Sequence, residues 1–459
     1  MRHLLTALSA AIILLLAGPL SHPAGATTTI QDNTQTGGCT TNSTQTFDSQ
    51  NNQTIILIDS VPCAVSITMA DTRYQRVGTT ETQVTVPYMV HEPPSGTPTK
   101  ALVVLLTGGD GCAAIAPPYA SPNPCASSAD ATAYRNFLIR SAQLFANHGF
   151  KALTIDRPFN INPPTANYND YRLSQMHAVD IAGVVGQENP DNKAVFLIGT
   201  SRGTLSAFAQ SVMGTASMLS SPVTANPAPP TSLAASPEAY LGDGIEPEFQ
   251  PAWLETPMVT MPLPVPVQIL EHQQDGCSES PPSGAKALYK HLIQLNPPVE
   301  AYFHEVTGGF NDNDISTDPT IACEAVSNHG FLGIERKVVG RISRRMTSIL
   351  SEINTAYPNN HRPVSGSGSL ATSSSTPISL DLTTIASDPD GDPLTFALPH
   401  LTSARGAALS LGSDGTVSYD ASGAGFAGTV NDSFVYVASD QNGQGKKSFG
   451  IITVTVTAP

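Results

Sequence analysis

The chain is poor in charge, and poorest in positive charge. Only 13% of its 459 residues are charged, and 22 Lys and Arg stand against 37 Asp and Glu, for a net charge of −15. No basic cluster stands out, which argues against nucleic acid or an anionic membrane surface as a partner. There is no CxxC and no His-rich spacing of the kind that holds zinc. Tryptophan occurs once, as Trp253. Beyond the first residues no apolar run is long enough to span a bilayer, so the mature protein is expected to be soluble, with no membrane span.

Small polar residues, proline and glycine fill the space that charge leaves, a composition expected of a secreted surface. Residues 1–3 are a short basic segment, residues 4–17 an apolar one, and Ala24, Gly25 and Ala26 form an A-x-A-like cleavage site. Residues 1–26 therefore read as a signal peptide, too short and too broken by Gly18-Pro19 for a membrane helix. Six cysteines follow it, in keeping with an oxidising periplasmic or extracellular location. Fifteen pairings exist for six cysteines. The sequential choice joins Cys39 to Cys63, Cys112 to Cys125 and Cys277 to Cys323.

Residues 27–53, rich in Thr, Gln, Asn and Ser, read as an irregular arm. From about residue 80 to 353 short apolar runs alternate with helical patterns. Strands are expected at residues 101–106 (ALVVLL), 151–156, 194–198, 265–270 and 299–306, with helices at 134–148, 173–185, 205–213, 285–295 and 334–353. That alternation predicts an α/β domain with a mostly parallel central sheet. Residues 220–264 interrupt it with a Pro-rich insertion, placed where a lid or substrate loop would sit. Residues 361–376 read as a Gly/Ser/Thr linker closing a catalytic domain of residues 27–360. Residues 377–459 break into short alternating segments between Gly- and Asp-rich turns, which predicts a small all-β sandwich.

Chemistry concentrates at Gly199-Thr200-Ser201-Arg202-Gly203. An apolar strand running into G-x-S-x-G holds a serine on a sharp, exposed bend, and its glycines allow backbone to approach backbone. Acyl transfer by serine also needs a base, a carboxylate to orient it, and donors for the oxyanion. Asp275 lies just past the strand at 265–270, with Glu271, Asp312 and Asp314 as rivals. His329 lies between the last strand and the last helix, with His272 and His304 as rivals. The glycine turn at residues 107–111 offers the N–H of Gly109, which with the N–H of Arg202 would form an oxyanion hole. A Cys277–Cys323 bridge would tie the acid loop to the base loop.

These motifs resemble those of the α/β-hydrolase superfamily. GTSRG matches its nucleophile elbow, TGGDG its oxyanion loop, QQDGC its acid turn and SNHGF its base loop. The closer likeness is to secreted bacterial serine esterases with a GTSRG elbow, including a dienelactone hydrolase-like group. Thr107 stands where many relatives carry His, and a serine nucleophile disfavours dienelactone hydrolase chemistry itself. The resemblance implies ester or thioester hydrolysis without a cofactor, with a small-molecule or polymeric ester as the expected substrate. The tail is similar to bacterial cadherin-like and immunoglobulin-like repeats. In those the acidic turn often binds calcium, which would here use Asp388, Asp390 and Asp392.

The expected function is thus a secreted Ser-His-Asp esterase. One alternative is an extracellular polyester depolymerase or polysaccharide esterase held on its polymer, or at a cell surface, by the β-domain. Against it, most aromatics of the tail (Phe396, Tyr419, Phe426, Phe434, Tyr436, Phe449) look like core. The other alternative is a non-catalytic surface adhesion protein on a hydrolase scaffold.

Overall fold

The computed structural model describes residues 27–32, 38–48, 53–62, 65–77, 80–109, 111–113, 136–158, 168–222, 265–295, 298–309, 321–323, 325, 327–443 and 445–459. The leader, Asp110, Cys63, Cys125, Asp312, Asp314 and residues 223–264 with Trp253 lie outside them. The expected irregular arm is corrected by its backbone, which forms β1 (Thr27–Asp32) and β2 (Gly38–Asp48) around β3 (Gln53–Pro62) in a three-stranded sheet. Threonine is β-branched and favours extended backbone even where the segment is polar.

The main sheet starts with an antiparallel hairpin of β4 (Val65–Val77) and β5 (Thr80–His91). It continues with β6 (Ala101–Leu106), α1 (Phe137–Asn147), β7 (Phe150–Ile155), α2 (Tyr168–Arg172), α3 (Gln175–Glu188), β8 (Val195–Thr200) and α4 (Gly203–Ala209). Then follow β9 (Ala216–Ser220), β10 (Val267–His272), α5 (Pro282–Gln294), β11 (Ala301–Val306) and α6 (Glu335–Ala356). The eight strands lie in the order β11-β10-β9-β8-β6-β7-β5-β4, parallel from β11 to β7 and antiparallel beyond.

Six apolar residues in a row make a strand that must be covered on both faces, and β6 is. Because side chains alternate, Leu102, Val104 and Leu106 enter one core with α3, α4 and α5. Ala101, Val103 and Leu105 enter the other with α1 and α6. Each fully buried Leu or Phe stabilises by about 1.5–3 kcal/mol, so the two layers dominate the folding energy. The parallel strands all end at one edge, which is where loops carrying chemistry collect.

The remaining strands are β12 (Val364–Ser365), β13 (Gly368–Ser373), β14 (Ile378–Asp381), β15 (Ala386–Ser387), β16 (Thr395–Ala397), β17 (Ala408–Leu411), β18 (Thr416–Asp420), β19 (Thr429–Ser439) and β20 (Lys447–Thr457). They make sheets of order β13-β20-β19-β16 and β14-β18-β17 around one core, with β12 and β15 paired beside them. The expected linker at residues 361–376 is therefore corrected: half of it is β12 and β13, the latter paired in parallel with β20. Its small polar residues are those of an edge strand, half-buried and exposed by turns.

β19 is buried on both faces. Phe434, Tyr436 and Ala438 point into the sandwich. Val435 and Val437 point the other way and join the core that contains α3, Leu102 and Val104. At the rim Arg405 pairs with Glu81 at 2.7 Å and Asn192 donates to the carbonyl of Pro363 at 2.6 Å. The β-domain thus continues the core of the α/β domain.

Candidate active site

Ser201 stands between the end of β8 and the start of α4 with φ 51, in the left-handed region that residues with a Cβ avoid. The neighbouring backbone enforces this bend. A Cβ on Gly199 would lie 2.3 Å from the carbonyl oxygen of Gly203, and one on Gly203 would lie 2.0 Å from that of Leu106. Both obstacles are main chain, so neither position accepts a side chain without opening the turn. The Ser201 N–H donates to Ser220 of β9 at 3.0 Å.

β10 brings up the acid. Asp275 is buried, and its Oδ1 accepts the Cys277 N–H at 2.8 Å. Its Oδ2 accepts from His329 Nδ1 at 2.8 Å and from the Ser280 hydroxyl at 3.3 Å. Ser280 Oγ also lies 2.9 Å from His329 Nδ1, so it closes a small ring with the pair. His329 Nε2 is buried and has no hydrogen-bond partner among the described residues. The Ser201 hydroxyl makes no hydrogen bond to it in this geometry, a link that often tightens only when substrate binds.

The base loop is braced from several sides. Ser327 caps it by accepting the His329 N–H at 3.1 Å, and Ser221 donates to the His329 carbonyl at 2.9 Å. Phe331 takes φ 57 and packs edge-on against Phe137 of α1 at 5.1 Å. Arg140, buried on α1, donates to the carbonyls of Gly330 and Ala325 and pairs with Glu335 at 3.0 Å. Cys277 and Cys323 are bonded, so the acid loop and the base loop share a covalent tie. Cys112 is also disulfide-bonded, and the side chain of Cys39 is not described.

The candidate oxyanion turn lies against Ser201. A Cβ on Gly108 would sit 2.8 Å from Ser201 Cβ and 3.0 Å from the Thr200 carbonyl, and Gly109 takes φ 56. Arg202 is the N-cap of α4. Its guanidinium forms two bonds to Glu279, at 2.6 and 2.9 Å, joining the elbow to the acid loop. Those bonds hold Glu279 below the usual carboxylate range against the effect of its burial.

The rivals are engaged elsewhere. His272 Nε2 faces the Gly308 carbonyl at 2.8 Å while its Nδ1 accepts the Gln274 N–H, and burial lowers its pKa. His304 lies within β11 and is lowered by burial. Glu271 is fully buried at the end of β10, and burial, then the Asp275 carboxylate beside it, push it well above the usual carboxylate range. Residue patterns missed Ser280, Ser221, Glu279 and Arg140. Arg140 had one signal, a charge three residues after Phe137 on a helix face otherwise apolar.

A mostly parallel eight-stranded sheet, a serine at a sharp turn after its fifth strand, and a paired Asp275 and His329 on later loops form one known arrangement. It is the α/β-hydrolase fold. Solved structures to which this chain is similar include the Pyrobaculum calidifontis esterase (14% identity, TM-score 0.36, 63% of this chain and 86% of that one). An α/β serine hydrolase without lid from Xanthomonas campestris is another (10%, 0.35, 62% and 96%). A third is Est1E from Butyrivibrio proteoclasticus (13%, 0.34, 61% and 100%). No curated protein matches the sequence. Residues 360–458 match the family model of the bacterial cadherin-like domain.

Beside this α/β-hydrolase fold, Asp388, Asp390 and Asp392 of the β-domain each bring one carboxylate oxygen within 4.8 Å of the others. Hard oxygen donors fit calcium. Most of these oxygens already serve the protein, while Asp388 Oδ2 is buried with no hydrogen-bond partner among the described residues. Asp388 accepts the N–H of Asp390 and Asp392, Asp390 pairs with His361 at 2.7 Å, and Asp392 accepts from Gln441 at 2.5 Å. Among the described residues no helix is long and apolar enough to cross a membrane.

Proposed function

We propose that this chain is a secreted serine hydrolase that cleaves carboxylic esters through an acyl-enzyme. The observation that carries the reading is the His329 ring, held through Nδ1 on Asp275 at 2.8 Å with Nε2 buried and unpartnered among the described residues. A carboxylate only accepts, so Nδ1 carries the ring proton and Nε2 offers a lone pair. As Ser201 Oγ bonds to the ester carbonyl carbon, its proton passes to Nε2. Asp275 stabilises the resulting imidazolium. The carbonyl oxygen, now negative, takes hydrogen bonds from the N–H groups of Gly109 and Arg202. The intermediate collapses, the alcohol leaves with the proton from Nε2, and water then releases the acid by the same steps in reverse. Each step is carried by these side chains and backbone groups, so no cofactor is called for.

Export is supported by the basic-apolar leader and by the Cys277–Cys323 bond. A simple ester substrate is favoured over polymer anchoring, because Phe396, Tyr419, Phe434 and Tyr436 are used up in the β-domain core. The test is hydrolysis of p-nitrophenyl butyrate by the wild type and by Ser201→Ala. The expected result is turnover in the first and its loss in the second. A wild type without turnover would leave the adhesion-protein reading in its place.

A further inference from the structure

Directly behind the oxyanion turn lies a buried arginine that the triad does not use. Arg172, the last residue of α2, is 2% exposed. Its Nη2 donates to three successive carbonyl oxygens, those of Thr107 at 2.9 Å, Gly108 at 3.4 Å and Gly109 at 3.1 Å. Its Nη1 donates to Ser206 on α4, the helix that follows the nucleophile.

In a planar trans peptide the C=O of one residue and the N–H of the next point in opposite directions. Drawing the Gly108 carbonyl toward Arg172 therefore turns the Gly109 N–H away from it. Gly108 is also the residue packed on Ser201. The guanidinium, together with the Gly111 N–H that donates to the same Gly108 carbonyl at 3.1 Å, thus sets the direction of the amide assigned to the developing oxyanion.

The arginine is itself held in place. Its carbonyl accepts from Gln210 Nε2 at 3.2 Å, and the same amide donates to the Ser174 carbonyl at 3.2 Å. Two donated bonds fix the orientation of that amide, so Gln210 Oε1 is an acceptor. His400 Nε2 lies 2.9 Å from it and must be the donor. Burial holds His400 down to about 4, so the ring is neutral. Gln210 and His400 are both buried, and His400 belongs to the β-domain.

We propose that Arg172 is a positioning residue of the oxyanion turn, and that the C-terminal β-domain holds it in register through His400 and Gln210. The proposal rests on the serine-hydrolase reading given above. It makes the β-domain part of the catalytic apparatus by support, without contact to substrate.

The experiment uses the full chain and p-nitrophenyl butyrate, with kcat expressed per active site titrated by a fluorophosphonate. Oxyanion donors act on the transition state more than on bound ester, so their misalignment lowers kcat and leaves KM nearly unchanged. Arg172→Met is expected to lose about 100-fold in kcat, the scale of one misplaced oxyanion donor. Because that variant removes a buried charge and can fail to fold, His400→Phe and His400→Gln carry the test. His400→Phe keeps a ring but no donor, and should lose about 10-fold in kcat at constant KM. His400→Gln restores a donor and should recover most of that loss. A His400→Phe variant with wild-type kcat, or with only KM or melting temperature changed, overturns the proposal and leaves the hydrolase reading intact. A wild type lacking Ser201-dependent turnover overturns both.

Discussion

Two carboxyl groups meet at the end of β10, and their surroundings differ. Asp275 accepts bonds from His329, Ser280 and the Cys277 amide. Glu271 accepts from the neighbouring His272 N–H, and its Oε2 is buried with no hydrogen-bond partner among the described residues. Burial and the adjacent Asp275 therefore keep Glu271 protonated above the ordinary carboxylate range. The consequence for stability follows from linkage. A folded-state pKa raised above the unfolded value gives stability that is full below the unfolded value, about 4.3 for Glu, and is lost as pH rises through the folded one. Glu271→Gln mimics the protonated form and has no such loss. Its melting temperature relative to wild type should rise steadily with pH above the ordinary Glu range, with kcat little changed. A melting-temperature difference that does not vary with pH would show that Glu271 is charged in the folded protein.

At the scale of elements, the loops carrying acid and base are held by bonds that join distant parts of the chain. The Cys277–Cys323 bridge closes a separation of 46 residues, for which chain entropy predicts about 3–4 kcal/mol of stabilisation. Replacing both cysteines by serine should lower the melting temperature and, by loosening Asp275 against His329, lower kcat as well; unchanged kcat would show that Ser280 and Ser221 suffice to hold the pair. The acidic turn of the β-domain is held by its own hydrogen bonds, so a chelator is expected to leave the melting temperature unchanged. A fall reversed by calcium would assign an ion there.

These ties explain what was legible in advance. β6, β8 and β10 were plain because strands buried on both faces are continuous apolar runs. The pairing of Asp275 with His329 was legible because the loops that carry them follow the strands in chain order. β9 was missed because ASMLS carries no alternation and little β-branching, and β13 because an edge strand of Ser, Gly and Thr has the composition of a linker. Ser280, Arg140 and Arg172 were missed for a different reason. Their partners lie 49, 190 and 65 residues away, and only the folded chain brings them together.

Over the whole molecule, the two predicted domains share a core. Val435 and Val437 lie in the same apolar cluster as Val179 and Val184 of α3, and each buried valine is worth about 1.5–3 kcal/mol. The polar contacts at the rim add less. Arg405 and Glu81 are partly exposed, and such pairs contribute about 0–1 kcal/mol. Folded domains have net stabilities of about 5–15 kcal/mol, so losing two or three buried side chains at this boundary removes a large share of either half's margin. Neither half should then unfold alone while the other persists. Calorimetry of the full chain is expected to give one cooperative transition, and a chain ending at residue 360 is expected to melt lower and to bind hydrophobic dyes through the uncovered face of α3. Two resolved transitions, with the truncated chain melting at the temperature of one of them, would instead make the β-domain an independent appendage. The Val435 and Val437 contacts would then contribute no coupling between the halves.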